Sequence, residues 1–405
     1  MTVLIDEVPA KRATRVTIPV SVTTPMFLGG VGQAEGVGQA AEWRTTSLRG
    51  VLRYWFRALA GRTVGNDLAA LSQLEAEVFG STHQASPISL RLRSSARSVV
   101  GRRPDWLNGR AGLTYLLGQG LVDGRPPTLT RDHFAVGSTA AIDVRIVYPN
   151  REVREQLRTL FVSTLWFASA LGGLGARVHR GFGGFNVDLS ALDGPDGVYL
   201  DDLNDFAEKF DYALHETRVR LEVALTAAAV EARTSYPVFS SEAWSCQMFE
   251  PSWPIPSWAN ALNFVGAALR AHRAPIASGR ASRTTAHRDV IAPFIRGVNV
   301  RGATISNAAF GLPMAFGKKD VVSVTTGGPP GASGSQEQRR GSAIWLRPVR
   351  FLDSSGSLAM ASHAFSSTYL PDSHGIFLGR DSGAAKLSFD DAELDREIDD
   401  WHNAL

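Results

Sequence analysis

Cysteine is almost absent from this sequence: Cys246 is the only one in 405 residues. A single thiol excludes a disulfide framework within the chain and a cysteine-rich zinc site. Long apolar runs are absent as well, because the longest, residues 160–174, includes hydroxyl side chains and falls short of the ~20 residues that span a bilayer. The first residues show no secretory apolar stretch. We therefore expect a soluble, cytoplasmic protein with no membrane partner.

Common catalytic and nucleotide-binding motifs are missing too. The chain has no Walker-type phosphate loop and no HExxH zinc motif. Residues 331–334 do not complete a serine-nucleophile elbow. In the glycine-rich loop 29–38, Glu35 occupies the place of the third glycine of a dinucleotide fingerprint. We therefore expect no catalytic residue, no metal site and no cofactor.

Lysine is scarce, while arginine is abundant. Of 42 basic residues, the only lysines are Lys11, Lys209, Lys318, Lys319 and Lys386. Arginine binds phosphate bidentately and stacks on bases, which favours a nucleic-acid partner. A GC-rich genome would enrich arginine equally, so composition leaves both explanations open.

The charges are segregated along the chain, although the formal net charge is only +3. Acids are concentrated in residues 188–211 and 390–400. Residues 44–62 contain no acid, and residues 270–301 contain Asp289 alone among several arginines. A near-neutral protein can thus present a strongly positive face, and phosphate binding needs only that face.

The first half of the chain predicts one domain, residues 1–195. Alternating and 3.6-residue patterns predict strands at 16–22, 86–92, 141–148 and 185–189, and helices from 47, at 66–78 and at 151–171. This order, βαββαβ, is typical of a ferredoxin-like domain. Pro19 predicts an edge or bulge in the first strand, and Ser47 is the predicted N-cap of the first helix. The polar, turn-rich residues 101–137 predict a projecting insertion.

The second half, residues 196–405, predicts a more divergent ferredoxin-like domain that includes a helical connector at 201–230. Further helices are predicted at 258–271 and 390–405, and strands at 235–248, 321–326, 343–351 and 358–365. The low-complexity residues 327–341 predict a mobile loop. The predicted fold class is therefore α+β, with two tandem ferredoxin-like (RRM-like) domains and loop insertions.

A glycine-rich segment, residues 172–185 (GGLGARVHRGFGGF), directly follows a predicted helix. Glycines let backbone amides approach an anion closely, and arginines beside them add positive charge. A purely structural turn is the alternative. His179, which lies between Arg177 and Arg180, could act as a general base, because neighbouring cations disfavour its charged form.

Residues 42–59 (EWRTTSLRGVLRYWFRAL) place arginines beside an aromatic stripe. Arg49, Arg53 and Arg57 recur every four residues and so share one helix face. Such a face is often simply solvated. The absence of neighbouring acids in the sequence favours an anionic partner.

Four segments in order, TPMFLGG, EWRTTSLRGVLRYWFRAL, EAEVFGS and GGLGARVHRGFGGF, resemble the RAMP superfamily of CRISPR-associated proteins. Within it, the chain is most similar to the first subunits of type III-B (Cmr) effector complexes. Residues 309–313 and 339–344 resemble later family motifs, with departures at Gly341 and Ala343. Residues 101–137 and 187–235 contribute nothing to the resemblance.

The resemblance implies two RAMP domains that hold RNA in a basic cleft, and a non-catalytic subunit near the 3′ end of the guide RNA. Its implied partners are the guide RNA, target RNA and other RAMP subunits of the complex. The candidate RNA-binding residues, from motif match and residue chemistry together, are Arg44, Ser47, Arg49, Arg53, Arg57, Gly173, Gly175, Arg177, His179, Arg180, Gly181, Arg339 and Arg340.

Two other functions stay open at this point. One is a metal-independent endoribonuclease that processes CRISPR RNA and uses His179. The other is a protein–protein scaffold whose basic surfaces bind acidic partners.

Overall fold

The computed structural model describes residues 12–29, 41–94, 103–118, 120–226, 233–249, 255–273, 287–312, 314–316, 320–349, 358–370, 373–379 and 383–405. The α-helices within these ranges are Thr45–Val64 (α1), Leu68–Phe79 (α2), Ala111–Leu117 (α3), Arg151–Ala170 (α4), Leu203–Arg220 (α5), Trp258–Arg273 (α6), Ala292–Ile295 (α7) and Asp391–Asn403 (α8).

The strands are Arg12–Val22 (β1), Ile88–Arg93 (β2), Val122–Asp123 (β3), Thr128–Leu129 (β4), Thr139–Tyr148 (β5), Phe185–Val187 (β6), Trp244–Phe249 (β7), Met314–Phe316 (β8), Asp320–Thr326 (β9), Gln336–Gln338 (β10), Ile344–Val349 (β11), Ala359–Phe365 (β12), His374–Leu378 (β13) and Ala385–Leu387 (β14). The mixed class of helices and antiparallel sheets is as predicted. No helix of the described ranges is long and apolar enough to cross a membrane.

The chain forms two compact units, and neither is a continuous stretch of sequence. The first comprises residues 1–100, 131–176 and 183–232, and the second comprises residues 101–130, 177–182 and 233–405. This grouping differs from the predicted division at residue 195, because α5 belongs to the first unit and residues 101–130 belong to the second. The domain boundaries themselves stay a prediction.

The first unit is built on an antiparallel sheet with the strand order β2-β5-β1-β6. The predicted sequence of elements, strand, helix, strand, strand, helix, strand, is confirmed in this unit, with α2 and α5 as additional helices. Alternate side chains of β1 and β5 are buried on one face of the sheet, as a period of two requires. Helices α1 and α4 pack on each other in the same unit.

Two local predictions for the first unit are wrong. Pro19 is not on an edge strand, because β1 pairs with β5 on one side and with β6 on the other. Its missing N–H is tolerated because the pairing with β6 begins only at Val20. Ser47 is not the N-cap either. Helix α1 begins at Thr45 after Arg44, which provides no side-chain cap.

The second unit contains two separate sheets. One has three strands in the order β11-β12-β7, and α6 packs against it. The other has the order β10-β9-β13-β14, with β8 added to β9. Within the predicted mobile loop 327–341, β10 forms a strand because residues 336–338 pair with residues 324–326 of β9. The prediction of an unstructured loop is therefore wrong at that point.

The described residues of 103–130 belong to the second compact unit, so the predicted insertion packs within that unit. Leu113, Leu116 and Leu117 of α3 are buried, and α3 lies against α6. The helices approach closely at two glycines. A Cβ on Gly112 would lie 2.0 Å from the carbonyl oxygen of Asn263, and one on Gly266 would lie 2.3 Å from that of Gly112.

Replacing Gly112 with alanine tests this contact. The added methyl has no room, so we expect Gly112→Ala to lower the free energy of unfolding by about 1–3 kcal/mol in urea denaturation. Gly50→Ala is the matched control, because a methyl group added at Gly50 of α1 would meet no atom within 4 Å. It should be neutral or stabilising by up to about 1 kcal/mol. Equal stabilities of the two variants would contradict the contact.

Buried histidine makes the stability of the first unit depend on pH. His133 is 1% exposed and packs 5.4 Å from the Phe27 ring, and burial lowers its pKa from 6.5 to about 4. Between these values the unfolded chain binds a proton that the folded chain does not. The free energy of unfolding therefore falls as the pH drops through this window.

We expect a loss of up to about 1.4 kcal/mol per pH unit from this group. The measurement is urea denaturation between pH 7 and pH 4.5. His133→Gln should reduce the slope, whereas the exposed His83→Gln should leave it unchanged. A slope that is the same in all three proteins would contradict the assignment.

Candidate functional site

The arginine face of α1 is partly neutralised by a carboxylate of α2. Glu75 is 4% exposed and pairs with both Arg53 and Arg57, with a 3.0 Å bond from Arg57 Nη2. Arg53 also donates to the carbonyl oxygens of Phe79 and Gly80, at 2.9 and 2.6 Å. The predicted absence of compensating acids is therefore wrong in three dimensions. Arg53 and Arg57 hold α1 to the end of α2.

Arg49 differs from its two neighbours on this face. It is half-buried and makes no hydrogen bond or ion pair with any residue in the described ranges. Arg44 precedes the helix and donates a long bond, 3.5 Å, to the Gly29 carbonyl oxygen. Ser47 is half-buried in the first turn. Arg49 is thus the arginine of α1 whose charge the protein itself leaves available.

The glycine-rich segment is tied to the TPMFLGG segment by backbone hydrogen bonds. Ala176 donates to the Phe27 carbonyl oxygen (2.9 Å), and Gly183 donates to that of Pro25 (2.9 Å). Leu174 donates to the Gly183 carbonyl oxygen (2.8 Å), which closes the segment on itself. These amides are therefore used within the protein. For the other amides of the segment, an anion cradle stays a prediction.

Two glycines of the segment have packing explanations. Gly175 has a φ of +96°, and a Cβ there would lie 2.6 Å from the Phe27 carbonyl oxygen. Gly181 has a φ of +83°, and its Cβ would lie 2.3 Å from a Leu262 methyl. Gly173 is buried. All three stay predictions as RNA contacts, but the fold already requires glycine at two of them.

Between these glycines the chain makes a tight turn at Val178–Arg180. Arg177 enters it in the left-handed conformation, with a φ of +65°. Arg180 and Phe182 donate their amides to the Arg177 carbonyl oxygen, at 2.8 and 3.3 Å. The turn therefore presents Arg177, His179 and Arg180 from one short, internally bonded piece of backbone.

Arg180 lies among other cations. Its Nη2 donates to the Phe310 carbonyl oxygen (2.9 Å), and its guanidinium lies 6.0 Å from the Phe310 ring. Burial lowers its pKa to about 9, and the charges of Arg273 and then of Arg177 contribute in the same direction. At neutral pH the guanidinium stays protonated. The structure thus holds like charges together around Arg180, which costs free energy.

Sequence reasoning missed three members of this cluster. The Arg273 guanidinium lies 5.3 Å from the Phe310 ring and donates to the Tyr115 hydroxyl (3.1 Å). Arg273 stood in the acid-poor stretch 270–301, which was the available signal. Tyr115 lies in the insertion, and Phe310 lies in an uncharged family motif. Neither residue therefore gave a sequence signal of a place in the cluster.

His179 is held in place by its surroundings. Its ring stacks on Trp345 with centroids 3.7 Å apart, and its Nδ1–H donates to the Ser342 carbonyl oxygen (2.7 Å). Burial lowers the pKa of His179 to about 4, while Arg180 and Arg340 contribute less. The predicted direction was right, but its main cause is desolvation. A base this weak, with its ring and its Nδ1 both engaged, suits positioning better than catalysis.

The last two candidate residues, Arg339 and Arg340, lie in different environments. Arg339 is exposed and makes no hydrogen bond or ion pair to a residue that the structure describes. Arg340 lies 5.3 Å from the Tyr369 ring and donates to Ser367 and Thr368, both at 3.4 Å. Arg340 therefore has a packing role near His179.

Within the described ranges, no three His, Cys, Asp or Glu side chains form a group that could hold a metal ion.

The Glu75 ion pairs predict a stability effect. Glu75→Gln leaves the half-buried Arg53 and the exposed Arg57 without a counter-charge, so we expect it to lower the free energy of unfolding by about 2 kcal/mol. Asp205→Asn, which breaks an exposed 2.7 Å pair with Lys209, is the control and should cost less than about 1 kcal/mol. Chemical denaturation measures both. A Glu75→Gln variant as stable as the control would exclude a structural role for the pairs.

Comparison with known proteins is consistent with this geometry. Residues 20–186 match the model of the RAMP superfamily. The chain is 28% identical over 185 residues to CRISPR system Cmr subunit Cmr1-2 of Pyrococcus furiosus. The matched region covers 41% of this chain and 91% of that protein. It is 29% identical over 146 residues to Cmr1-1 of the same organism, spanning 36% of this chain and 40% of that protein.

Solved structures give the same relationship. The crystal structure of Cmr1 from Pyrococcus furiosus in its apo form superposes with a TM-score of 0.51 at 18% identity, covering 89% of this chain and 90% of that one. This similarity shows a shared fold. Residues 20–186 are therefore similar to the RAMP superfamily, and the chain is similar to the Cmr1 subunits of CRISPR Cmr systems.

Proposed function

We propose that the protein is an RNA-binding, non-catalytic subunit of a type III-B CRISPR (Cmr) interference complex. In that role it contacts the guide RNA near its 3′ end, the target RNA, or both, and it assembles with other RAMP subunits in antiviral defence. The relatives named as Cmr subunits support membership of such a complex. The chemistry of the turn at 177–182 supports RNA as the ligand.

The observation that carries the proposal is the environment of Arg180. Burial is the main cause of its lowered pKa, and the neighbouring cations Arg273 and Arg177 lower the pKa further. Its one hydrogen bond to a described residue goes to a neutral carbonyl oxygen, which leaves most of the five guanidinium N–H donors for a ligand. A phosphate would relieve the repulsion and accept those donors bidentately.

The ligand class follows from what the turn offers. Guanidinium groups beside the Phe310 ring suit a ribose-phosphate strand, which supplies negative charge and flat bases. Such contacts recognise the backbone with little base specificity, so they suit a subunit that accepts many sequences. We extend the proposal to Arg49 of α1 and to the exposed Arg339, which no described carboxylate neutralises.

We further propose that both halves of the chain derive from ferredoxin-like RAMP domains divided near residue 195. In the first unit, the order β2-β5-β1-β6 and the antiparallel pairings support this. In the second, β11-β12-β7 repeats the order of β2-β5-β1. The sheet that contains β8, β9, β10, β13 and β14 would then be an elaboration of the second domain.

Nuclease activity has less support. A general base must reach the 2′-hydroxyl and take up its proton. The His179 ring is instead covered by Trp345, and its pKa is about 4. We therefore propose binding without cleavage. RNA cut in EDTA by the wild-type protein, and left intact by His179→Ala, would support the endoribonuclease instead.

Salt-dependent RNA binding tests the proposal. Arg180→Ala should weaken binding of single-stranded RNA about tenfold in 0.1 M salt, because a phosphate contact is lost. The slope of log affinity against log salt should fall by about 0.7. Arg49→Ala should act in the same direction. Filter binding over a salt series, with the full-length chain, measures both quantities.

Arg151→Ala is the matched control, since Arg151 is an exposed arginine at the start of α4. It removes the same charge and should change neither affinity nor slope by more than about twofold. A control that weakens binding as much as Arg180→Ala would show that only net charge matters. Unchanged binding in all three variants would overturn the proposed interface.

A further inference from the structure

A cavity of about 430 Å³ lies in the first unit, apart from the arginine cluster of the turn at 177–182. Its lining comes from the residues just before α1, from the end of β2 and from one aromatic residue ahead of β5: Ala41, Glu42, Trp43, Arg91, Leu92, Arg93, Ser94 and Phe134. The volume falls within the ~300–1,000 Å³ typical of small-ligand sites. No function is yet assigned to these residues.

The wall of the cavity is aromatic. Trp43 stacks on Phe134, with ring centroids 4.9 Å apart and planes 29° from parallel, and Phe134 is 1% exposed. The indole Nε1–H of Trp43 is buried and finds no acceptor in the described ranges.

Charged groups stand at the same cavity. Arg93 is engaged by Asp143, with a 2.7 Å bond from its Nη2, and Thr17 also donates to that carboxylate. Arg91 is exposed, and its charge also acts on Asp143, the carboxylate that Arg93 binds. The carboxylate of Glu42 is likewise exposed and unbonded to described residues. The cavity therefore offers a donor, an acceptor and a flat apolar wall.

We propose that this cavity binds one unstacked base of a single-stranded RNA. The base would lie against the face of Trp43, its ring or carbonyl acceptors would take the Arg91 donors, and its exocyclic amine would donate to Glu42. Stacking on an aromatic side chain is tolerant of sequence, whereas a carboxylate favours bases that carry an amine. This inference rests on the proposed function and adds a base-binding site to it.

Replacing Glu42 tests the proposal, because the direction of the change in RNA affinity distinguishes a base contact from simple charge repulsion. A bystander carboxylate repels RNA, so its removal would strengthen binding of every sequence. A carboxylate that accepts from a base amine behaves differently. Glu42→Gln in the full-length chain should weaken binding of oligo(A) and oligo(C) about five- to tenfold and should not weaken binding of oligo(U).

Arg91→Gln should weaken all three oligonucleotides, and Arg12→Gln, an exposed residue of β1 outside the cavity lining, is its control. Trp43→Phe keeps an aromatic wall of smaller area, so it should weaken binding only a few-fold. Mass spectrometry of RNA cross-linked through 4-thiouridine should identify peptides that contain residues 41–44 or 91–94.

The outcomes separate the two proposals. If Glu42→Gln strengthens binding of all three oligonucleotides, or has no effect, while Arg180→Ala weakens it, the base site is wrong and RNA binding stands. If neither variant changes binding, both proposals fail. AMP at the same nucleotide concentration should not displace oligo(A), because it lacks neighbouring phosphates. Displacement by AMP would overturn the assignment to a strand.

Discussion

Three backbone hydrogen bonds fix the conformation of the glycine-rich segment, residues 172–185. They join residues 25–27 to residues 174–183 and close the segment on itself. Because both ends of the turn are fixed in this way, residues 177–182 have few conformations left, and their side chains are held in place before any ligand arrives. Preorganisation of this kind reduces the entropy lost on binding. The glycines serve this geometry, and the arginines are the residues that we propose bind RNA.

The positions of the acids decide which arginines remain for a ligand. Glu75 and Asp211 reach α1 from other helices and engage Arg53, Arg57 and Arg62. Arg180 has no such neighbour of opposite charge among the described residues, and its surroundings are cationic. Arginine therefore has two roles in this protein. In α1 it joins helices through ion pairs, and at Arg180 it lies beside other cations that repel it. Net charge, which is only +3, reveals neither role.

Local patterns of the sequence were sufficient for most of the elements. The periodic stripe of α1, the apolar helix α4 and the alternating strands β2 and β5 depend on neighbours within one turn or one strand, so single-chain periodicity predicts them. The pairing of Arg53 with Glu75 joins two helices, and periodicity within either helix does not reveal it. The α3–α6 contact depends on glycines more than 150 positions apart. Tyr115 was missed for the same reason.

The turn at 177–182 belongs to the second compact unit, and most other residues of that unit follow the turn in the sequence. Residues 177–182 are grouped with residues 233–405, while the flanking residues are grouped with the first unit. During synthesis the chain emerges from its amino terminus at ~5–20 residues per second, and domains tend to fold as they emerge. The turn is thus made several seconds before Phe310 and Trp345 exist. The arginine cluster can be completed only after Arg273 and Phe310 have left the ribosome.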